Sequence, residues 1–281
     1  VDRSQGVPMP ESFPDLVFPA VERATLSNGT TVVLARRSGL PVVQLDYQFP
    51  AAGYSADADG RMGTASFAMG MLDEGAAGAG PLAFAERAEA LGAQLGAGAA
   101  LDVGSDWLSA LGDRLDASVA LFADMLRRPD FAPAEIERVR ASWIAGIAQE
   151  KARPQTAALR VLPPLLYGEG HPYAMPFTGS GTEASIAALT RDDLVAFHQA
   201  RVRPEGATLV VVGDTTLDAL VPVLERHLGD WRGRGEAPAA VAIPPVARPA
   251  GPRVFLVDQP GAVQANIYAG LLVPSSTAAG A

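Results

Sequence analysis

Most segments with a strand pattern lie in the first part of this sequence, and another follows only after a long helical stretch. In the segment Pro41–Phe49, apolar Val43, Leu45 and Tyr47 alternate with polar side chains, which is the pattern of a half-buried strand. Five such segments are predicted as strands: Thr30–Leu34, Pro41–Phe49, Ala93–Ala100, Val103–Leu111 and Ala207–Val212. Strands followed by helices, with one late strand returning, favour an α+β fold in which helices pack on a single sheet.

Helix signals fill the space between the early strands and the late one. Pro81 suits a first helical turn and Gly92 suits a helix end. Thr190 followed by Asp193 is a capping-box pattern, and Ser27-Asn-Gly29 is a hairpin-type turn. The predicted helices are Pro81–Leu91, Ser118–Arg127 with Asp116 as its cap, Asp130 to about Ala152, Leu159–Tyr167 interrupted by Pro163-Pro164, Leu194–Ala200 and Leu217–Leu228.

The composition excludes several classes of partner and site. The net charge of −9 and the pI of about 4.9 argue against binding to nucleic acid or anionic lipid. The sequence contains no apolar run long enough to span a membrane. It contains no cysteine, so disulfides and thiolate metal sites are excluded.

The segment Gly63–Gly75 is predicted to be a short helix, with Thr64 as its cap and Gly75 as its end. On this helix Ser66, Met69 and Gly70 share one face, because residues three and four apart lie one above another. A metal-binding helix needs imidazole or carboxylate groups at such positions. This helix presents the hydroxyl of Ser66, the thioether of Met69 and, at Gly70, no side chain at all.

Several stretches in this order together resemble the insulinase-like M16 zinc peptidases, the family that includes mitochondrial processing peptidase. The stretches are Leu26–Gly29, Gly63–Gly75, Tyr167–Tyr173, Leu189–Leu194 and Leu209–Asp214. The resemblance covers roughly residues 20–232. It implies the α+β fold of M16 peptidase-like (LuxS/MPP-like) metallohydrolases, a mostly antiparallel sheet covered by helices.

Active members of this family carry H-x-x-E-H on the corresponding helix and a further glutamate downstream. Two His and that downstream Glu bind zinc, while the Glu of the motif activates water. Residue by residue, the motif falls on Ser66, Met69 and Gly70, and the downstream ligand falls near Ile147. We call these four residues the motif positions. The resemblance therefore implies no catalytic residue, no metal ligand and no cofactor in this unit, with zinc expected in an active partner unit.

The function that this resemblance implies is that of a catalytically inactive unit in an M16-type zinc metalloendopeptidase of bacterial type. Such a unit supplies chamber wall and peptide binding beside an active H-x-x-E-H unit, in the same polypeptide or as a heterodimer subunit. Two alternatives remain: a scaffold or interaction protein that keeps the fold, and a metal hydrolase with noncognate ligands. A metal hydrolase would need two or three of His171, His198 and His227 to converge with a carboxylate, which their spacing does not require.

Four segments are expected along the chain. They are a Pro-rich extended segment at 1–20, an M16-like N-terminal domain at 21–232, a Pro/Ala-rich linker at 233–251, and the incomplete start of a second M16-like domain at 252–281, opening with a strand at Arg253–Asp258. Because the sequence begins with Val1, we expect a processed product or a piece of a longer chain. We expect a periplasmic or secreted location rather than a cytoplasmic one.

Overall fold

One six-stranded sheet organises the chain. The computed structural model describes residues 17–57 and 60–274, together with Ser12 and Asp15. The strands are β1 (Val21–Thr25), β2 (Thr31–Arg36), β3 (Val42–Phe49), β4 (Gln94–Ala99), β5 (Gly104–Leu111) and β6 (Thr208–Gly213).

The strand order is β1-β2-β6-β3-β5-β4, which places the late strand β6 in the interior of the sheet. Only the β2–β6 pair is parallel, and the other four neighbouring pairs are antiparallel. The expected α+β fold with a mostly antiparallel sheet is confirmed. The register pairs Leu45 with Val211 on one side and with Leu108 on the other, so the apolar residues of three adjacent strands share one face.

Eight α-helices lie in the described part of the chain. They are α1 (Thr64–Met69), α2 (Pro81–Leu91), α3 (Leu115–Arg127), α4 (Pro133–Ala152), α5 (Pro154–Tyr167), α6 (Glu183–Ala188), α7 (Arg191–Arg201) and α8 (Leu217–Leu228). None of these helices is both long and apolar enough to cross a lipid bilayer.

The hydrophobic core lies between the sheet and the helices. Strand residues Tyr47 and Phe49 are almost fully buried in the same cluster as Phe67 of α1 and Phe122 of α3. The opposite face of the sheet stays open, since Trp107 on β5 is 43% exposed. The alternation of apolar and polar residues along β3 and β5 therefore tells which face of the sheet the helices cover.

Several helix bounds and one helix interior differ from the sequence prediction. The helix predicted over Gly63–Gly75 ends at Met69, and α5 begins at Pro154 instead of Leu159. Thr64 is not a cap, because Gly63 precedes α1 in a left-handed conformation with φ 90°. Asp116 is not a cap either, since α3 begins one residue before it. Helix α5 runs through Pro163 without a break. Pro163 has no N–H to donate to the Leu159 carbonyl, which instead accepts a 3.0 Å hydrogen bond from Phe177 N.

The C-terminal part of the chain also differs from expectation. The segment Arg253–Asp258 is not a strand, and Val254 and Leu256 are each 94% exposed. A strand needs a neighbouring strand to bond its backbone, and the described residues supply none here. The division into segments at 21–232, 233–251 and 252–281 stays a prediction, and most of the 1–20 segment lies outside the described residues.

Candidate functional site

The motif positions are carried by two packed helices. Ser66 and Met69 belong to α1, and Gly70 follows its last residue, with Gly70 N donating to Ser66 O at 3.0 Å. Ile147 lies on α4 and, like Met69, is completely buried. Both apolar residues belong to the main core cluster. The helix onto which the family resemblance places the metal-binding motif is here a core helix.

A carboxylate from the preceding loop sets the start of α1. Asp57 Oδ2 accepts from Gly63 N at 2.7 Å and Asp57 Oδ1 accepts from Ala65 N at 2.9 Å. These bonds satisfy N–H groups that the first helical turn leaves open. Burial raises the pKa of Asp57 to about 7, although the backbone N–H donors and the nearby charge of Arg201 oppose that rise.

Ser66 has no partner that could activate it as a nucleophile. Its Oγ is buried and forms no hydrogen bond among the described residues. A β-carbon at Gly179 would lie 2.8 Å both from Ser66 Oγ and from the ring of Tyr54, so the glycine lets this loop close over the hydroxyl. Nucleophilic serine chemistry requires an adjacent base, and neither the glycine nor the tyrosine ring supplies one.

Trp143 of α4 covers the outer side of α1. Its ring lies 5.4 Å from that of Phe67 in an edge-to-face arrangement, and a β-carbon at Gly70 would lie 3.5 Å from it. Trp143 Nε1 donates to Ser180 O at 2.9 Å, which ties the indole to the loop that covers Ser66. Any side chain at Gly70 would therefore point into an occupied space.

An ion pair lies one turn beyond Ile147. Arg160 Nη1 donates to Glu150 Oε2 at 2.7 Å and to Ser180 Oγ at 2.6 Å, and Ser180 Oγ in turn donates to Glu150 Oε2 at 2.8 Å. The same guanidinium donates to Gly181 O. The Arg160 side chain is only 8% exposed. Glu150, the carboxylate closest in sequence to the downstream motif position, is thus engaged by a guanidinium.

The residues at the motif positions do not fit zinc. Zinc requires imidazole, carboxylate or thiolate donors, whereas this site offers a covered hydroxyl, a buried thioether and an isoleucine. The three histidines make bonds in different places: His171 to Pro244 O, His198 to Leu126 O and His227 to Asp116. Across the described ranges no group of three or more His, Cys, Asp or Glu side chains is arranged to hold a metal.

The edge strand β4 lies beside α1 and forms the open border of the sheet. Within the described residues β4 pairs only with β5, so one side of its backbone has no strand neighbour. Its sequence from Gly96 to Ala99 contains only glycine and alanine. Just past the strand, Tyr54 N bonds Ala100 O at 3.0 Å and Ser55 N bonds Leu101 O at 2.8 Å. The loop closes the edge at that end, while Ala97, Gly98 and Ala99 of the strand are partly exposed.

Aromatic side chains gather at the closed end of β4. Tyr173 Oη donates to Asp102 Oδ2 at 2.8 Å, which anchors the cluster to the loop after the strand. Tyr167 stacks on His171 at 5.0 Å between ring centroids and meets Tyr173 edge to face at 5.5 Å. His171 Nδ1 accepts from Tyr173 N, so its Nε2 carries the proton donated to Pro244 O. The open edge therefore ends at a fixed aromatic wall.

Sequence reasoning missed the loop that covers α1. Gly179 and Gly181 both have positive φ, 66° and 72°, and a β-carbon at Gly181 would lie 2.2 Å from Met62 O. Two glycines separated by one residue indicate a tight turn, but they do not indicate which helix that turn packs against. The Glu150–Arg160 pair was missed because its two residues lie on separate helices that meet at Pro154.

A family profile described as the peptidase M16 inactive domain matches residues 188–279 of the chain. An uncharacterised zinc protease of Mycobacterium tuberculosis is 28% identical over 190 residues, which is 68% of this chain and 42% of the relative. The chain thus spans about two fifths of the length of the curated relatives of this kind.

Solved structures share the fold. The crystal structure of a peptidase M16 inactive domain from Pseudomonas fluorescens superposes with a TM-score of 0.74 and 29% identity, covering 80% of this chain and 54% of that one. The periplasmic protease PqqL of Escherichia coli superposes with a TM-score of 0.68 at 19% identity, covering 79% of this chain and 25% of PqqL. At that identity PqqL supports the fold alone.

Proposed function

We propose a function from one premise: the chain belongs to the M16 peptidase family, as a unit of its non-catalytic type within a zinc protease-like protein. On this premise the unit binds an extended segment of the peptide substrate along the open edge of β4. It forms part of the wall of the chamber in which a second, zinc-bearing unit performs the cleavage.

The single observation that carries this proposal is the open edge of β4 beside α1. A strand edge recognises a peptide through main-chain hydrogen bonds, which give affinity with little dependence on sequence. Ala97, Gly98 and Ala99 carry a methyl group or no side chain and are partly exposed, whereas Gly96 is buried. The ring cluster of Tyr167, His171 and Tyr173 stands at the end of that edge and limits how far a peptide strand extends.

The covered motif positions support a binding role instead of a catalytic one. Met69 and Ile147 contribute to the core, and Ser66 Oγ is enclosed by the loop at Gly179. A peptide at the β4 edge would be held next to α1 without meeting an activated water or nucleophile. Holding an extended peptide in place raises the rate at which a neighbouring active unit cleaves it, because positioning removes entropy from the reaction step.

The proposal is tested by binding an uncharged, unstructured fluorescent peptide to the chain and measuring its anisotropy. A matched peptide carries N-methyl groups at alternate residues, so that one of its edges can no longer donate hydrogen bonds. Losing three backbone hydrogen bonds at about 0.5–1.5 kcal/mol each predicts a loss of affinity of at least about tenfold. Equal binding of both peptides contradicts the strand-edge mode.

A pair of protein variants locates the edge. Successive N–H groups of a strand point to opposite sides, so only one of A97P and G98P removes an outward donor of β4, while the other removes a donor to β5. The outward substitution is expected to weaken peptide binding and leave the melting temperature nearly unchanged. The inward one is expected to lower the melting temperature. Peptide binding that survives in a folded outward variant contradicts the proposed site.

A further inference from the structure

A groove of about 1160 Å³ lies among the helices, away from the candidate site. It is bounded by the C-terminal ends of α3 and α8, by α7 and by the residues that follow α8. We call it the arginine groove, after the six arginines that line it together with two histidines: Arg127, Arg128, Arg191, Arg226, Arg232, Arg234, His198 and His227. It shares no lining residue with β4 or the motif positions.

The positive charge of the groove exceeds its negative charge. The acidic residues that line it are Asp124, Asp130 and Asp230. Arg127 pairs with Asp230 at 2.8 Å and Arg128 pairs with Asp124, so two of these carboxylates are already engaged. The third, Asp130, accepts from Gly78 N at 2.9 Å. The local charge is thus opposite in sign to the net charge of −9 of the whole chain.

Three arginines of the groove form no ion pair within the described residues. Arg191 Nε donates to Phe131 O at 3.0 Å, and Arg232 Nη1 donates to Gly229 O and Trp231 O at 2.7 Å each. Backbone carbonyls orient these guanidiniums without neutralising them. Arg234 lies close enough to His198 for its charge to lower the pKa of that imidazole. A guanidinium held in this way keeps donors for an incoming carboxylate.

The floor of the groove is apolar and uncharged. Phe131 is 2% exposed and Trp231 is 8% exposed, so neither offers an open ring face to a ligand. His198 Nε2 bonds Leu126 O at 2.8 Å, and burial lowers the pKa of His198, which keeps its ring neutral. The groove therefore combines a cationic rim with an apolar floor.

The burial of the aromatic side chains limits the class of ligand. Single-stranded nucleic acid needs exposed aromatic faces on which bases stack, and the two aromatic side chains here are buried. A polypeptide with carboxylates for the rim and an apolar side chain for the floor matches both surfaces.

We propose that the arginine groove is a second binding site, which takes a polypeptide segment rich in Asp and Glu. Arg191, Arg232 and Arg234 bind its carboxylates, and the partly buried Val195 contacts an apolar residue between them. The site acts independently of the β4 edge.

The test uses the full chain and a fluorescent peptide in which glutamates flank a leucine, with a glutamine-for-glutamate peptide as the matched ligand. The groove variant is R191Q/R232Q/R234Q. The control variant is R23Q/R37Q/R248Q, which removes the same charge from three exposed arginines outside the groove. Three exposed charge pairs at about 0.2–1 kcal/mol each predict a loss of roughly 3- to 100-fold in the groove variant. The control variant and the uncharged-peptide affinity for β4 are expected to change by less than about twofold.

Three results overturn the proposal. The first is equal weakening by the groove and control variants, which would mean that only net charge matters. The second is tighter binding of a single-stranded oligonucleotide or of inorganic polyphosphate than of the glutamate peptide. The third is unchanged peptide binding in the single variant R234Q. This variant changes one residue outside the helices and strands, so it tests the groove even if the triple variant misfolds. Because the uncharged peptide reports on β4 separately, failure here is distinguishable from failure of the proposed function.

Discussion

Arg160 Nη1 lies 2.7 Å from Glu150 Oε2, and through Ser180 this pair ties the C-terminal end of α4 and the following helix α5 to the loop over Ser66. The pair lies next to Ile147, the position onto which the family resemblance places a metal ligand. A metal joins the elements that carry its ligands. Here an ion pair and a serine hydroxyl join the corresponding elements.

We therefore expect R160A to destabilise the chain by about 3 kcal/mol, because it leaves a largely buried carboxylate without its counter-charge. The double variant E150M/R160M should recover most of this loss, since apolar residues of similar volume replace a buried pair at little cost. Urea unfolding followed by circular dichroism measures both.

An exposed ion pair provides the comparison. Arg138 is 56% exposed and pairs with Glu135 and Glu74, so R138A should destabilise the chain much less than R160A does. If R160A and R138A cost the same, or if the double variant is no more stable than R160A, the proposed tie is wrong.

Much of the fold could be predicted because it depends on local patterns. The alternation along Pro41–Phe49 gave the buried face of β3, and the capping pattern of Thr190 and Asp193 gave the start of α7. Helix α5 was wrongly interrupted at Pro163, because the bond that replaces the missing donor comes from Phe177, fourteen residues away in sequence. The prediction of a strand at Arg253–Asp258 was wrong, because a strand-like sequence pattern does not by itself provide a neighbouring strand to pair with.

The sequence predicts which residues occupy the motif positions. It does not predict the contacts that surround them. The residues at the motif positions can be read directly from the sequence once α1 is placed. The arginine that engages Glu150 and the glycine loop that covers Ser66 depend on how distant segments meet, and no local pattern encodes those meetings. The arginine groove was missed for the same reason, since its cations come from three helices and a connecting segment.

We expect the purified chain to bind no zinc at the motif positions. The restored variant S66H/M69E/G70H should also fail as a peptidase. A His at 70 meets the Trp143 ring, and a Glu at 69 is buried beside Gly104, where the Met69 methyl group now packs. Ile147 still supplies no ligand, and supporting hydrogen bonds to the new histidines are absent from the described surroundings. Metal analysis and a peptide-cleavage assay measure these outcomes, and stoichiometric zinc in the wild-type chain, lost in S66A/M69L, would contradict the first expectation.

Stability is expected to depend on pH through Asp106. Its carboxylate is fully buried on β5, and neither oxygen has a hydrogen-bond partner among the described residues. Burial raises the pKa of Asp106 well above its usual value, and the charges of Asp73 and Asp46 raise it further. The folded state therefore binds this proton more tightly than the unfolded chain, so its contribution to stability is complete below about pH 3.9 and is lost as pH rises.

The substitution D106N removes this dependence. Near pH 3.5 the variant should match the wild type, and at pH 8 it should be more stable, with the gap widening as pH increases. The substitution D258N, at an exposed aspartate, supplies the control for exchanging one carboxylate for an amide. Thermal melting across this range measures the difference, and a D106N variant that is less stable than the wild type at pH 8 would overturn the prediction.

The unit should act through a partner, because its edge strand can hold a peptide but its own α1 has no group to cleave one. The decisive assay uses an H-x-x-E-H-bearing unit from the same polypeptide or a neighbouring gene, with and without this unit extended to its complete second domain. For a long peptide, kcat/KM is expected to rise at least about tenfold when this unit is present, since positioning removes part of the entropic barrier.

A dipeptide substrate too short to reach β4 should show little change. The outward proline variant of β4 should abolish the gain for the long peptide while still forming the complex, as sedimentation at micromolar concentration would show. If kcat/KM for the long peptide is the same with and without this unit and no complex forms, the protein is a scaffold that retains the fold alone.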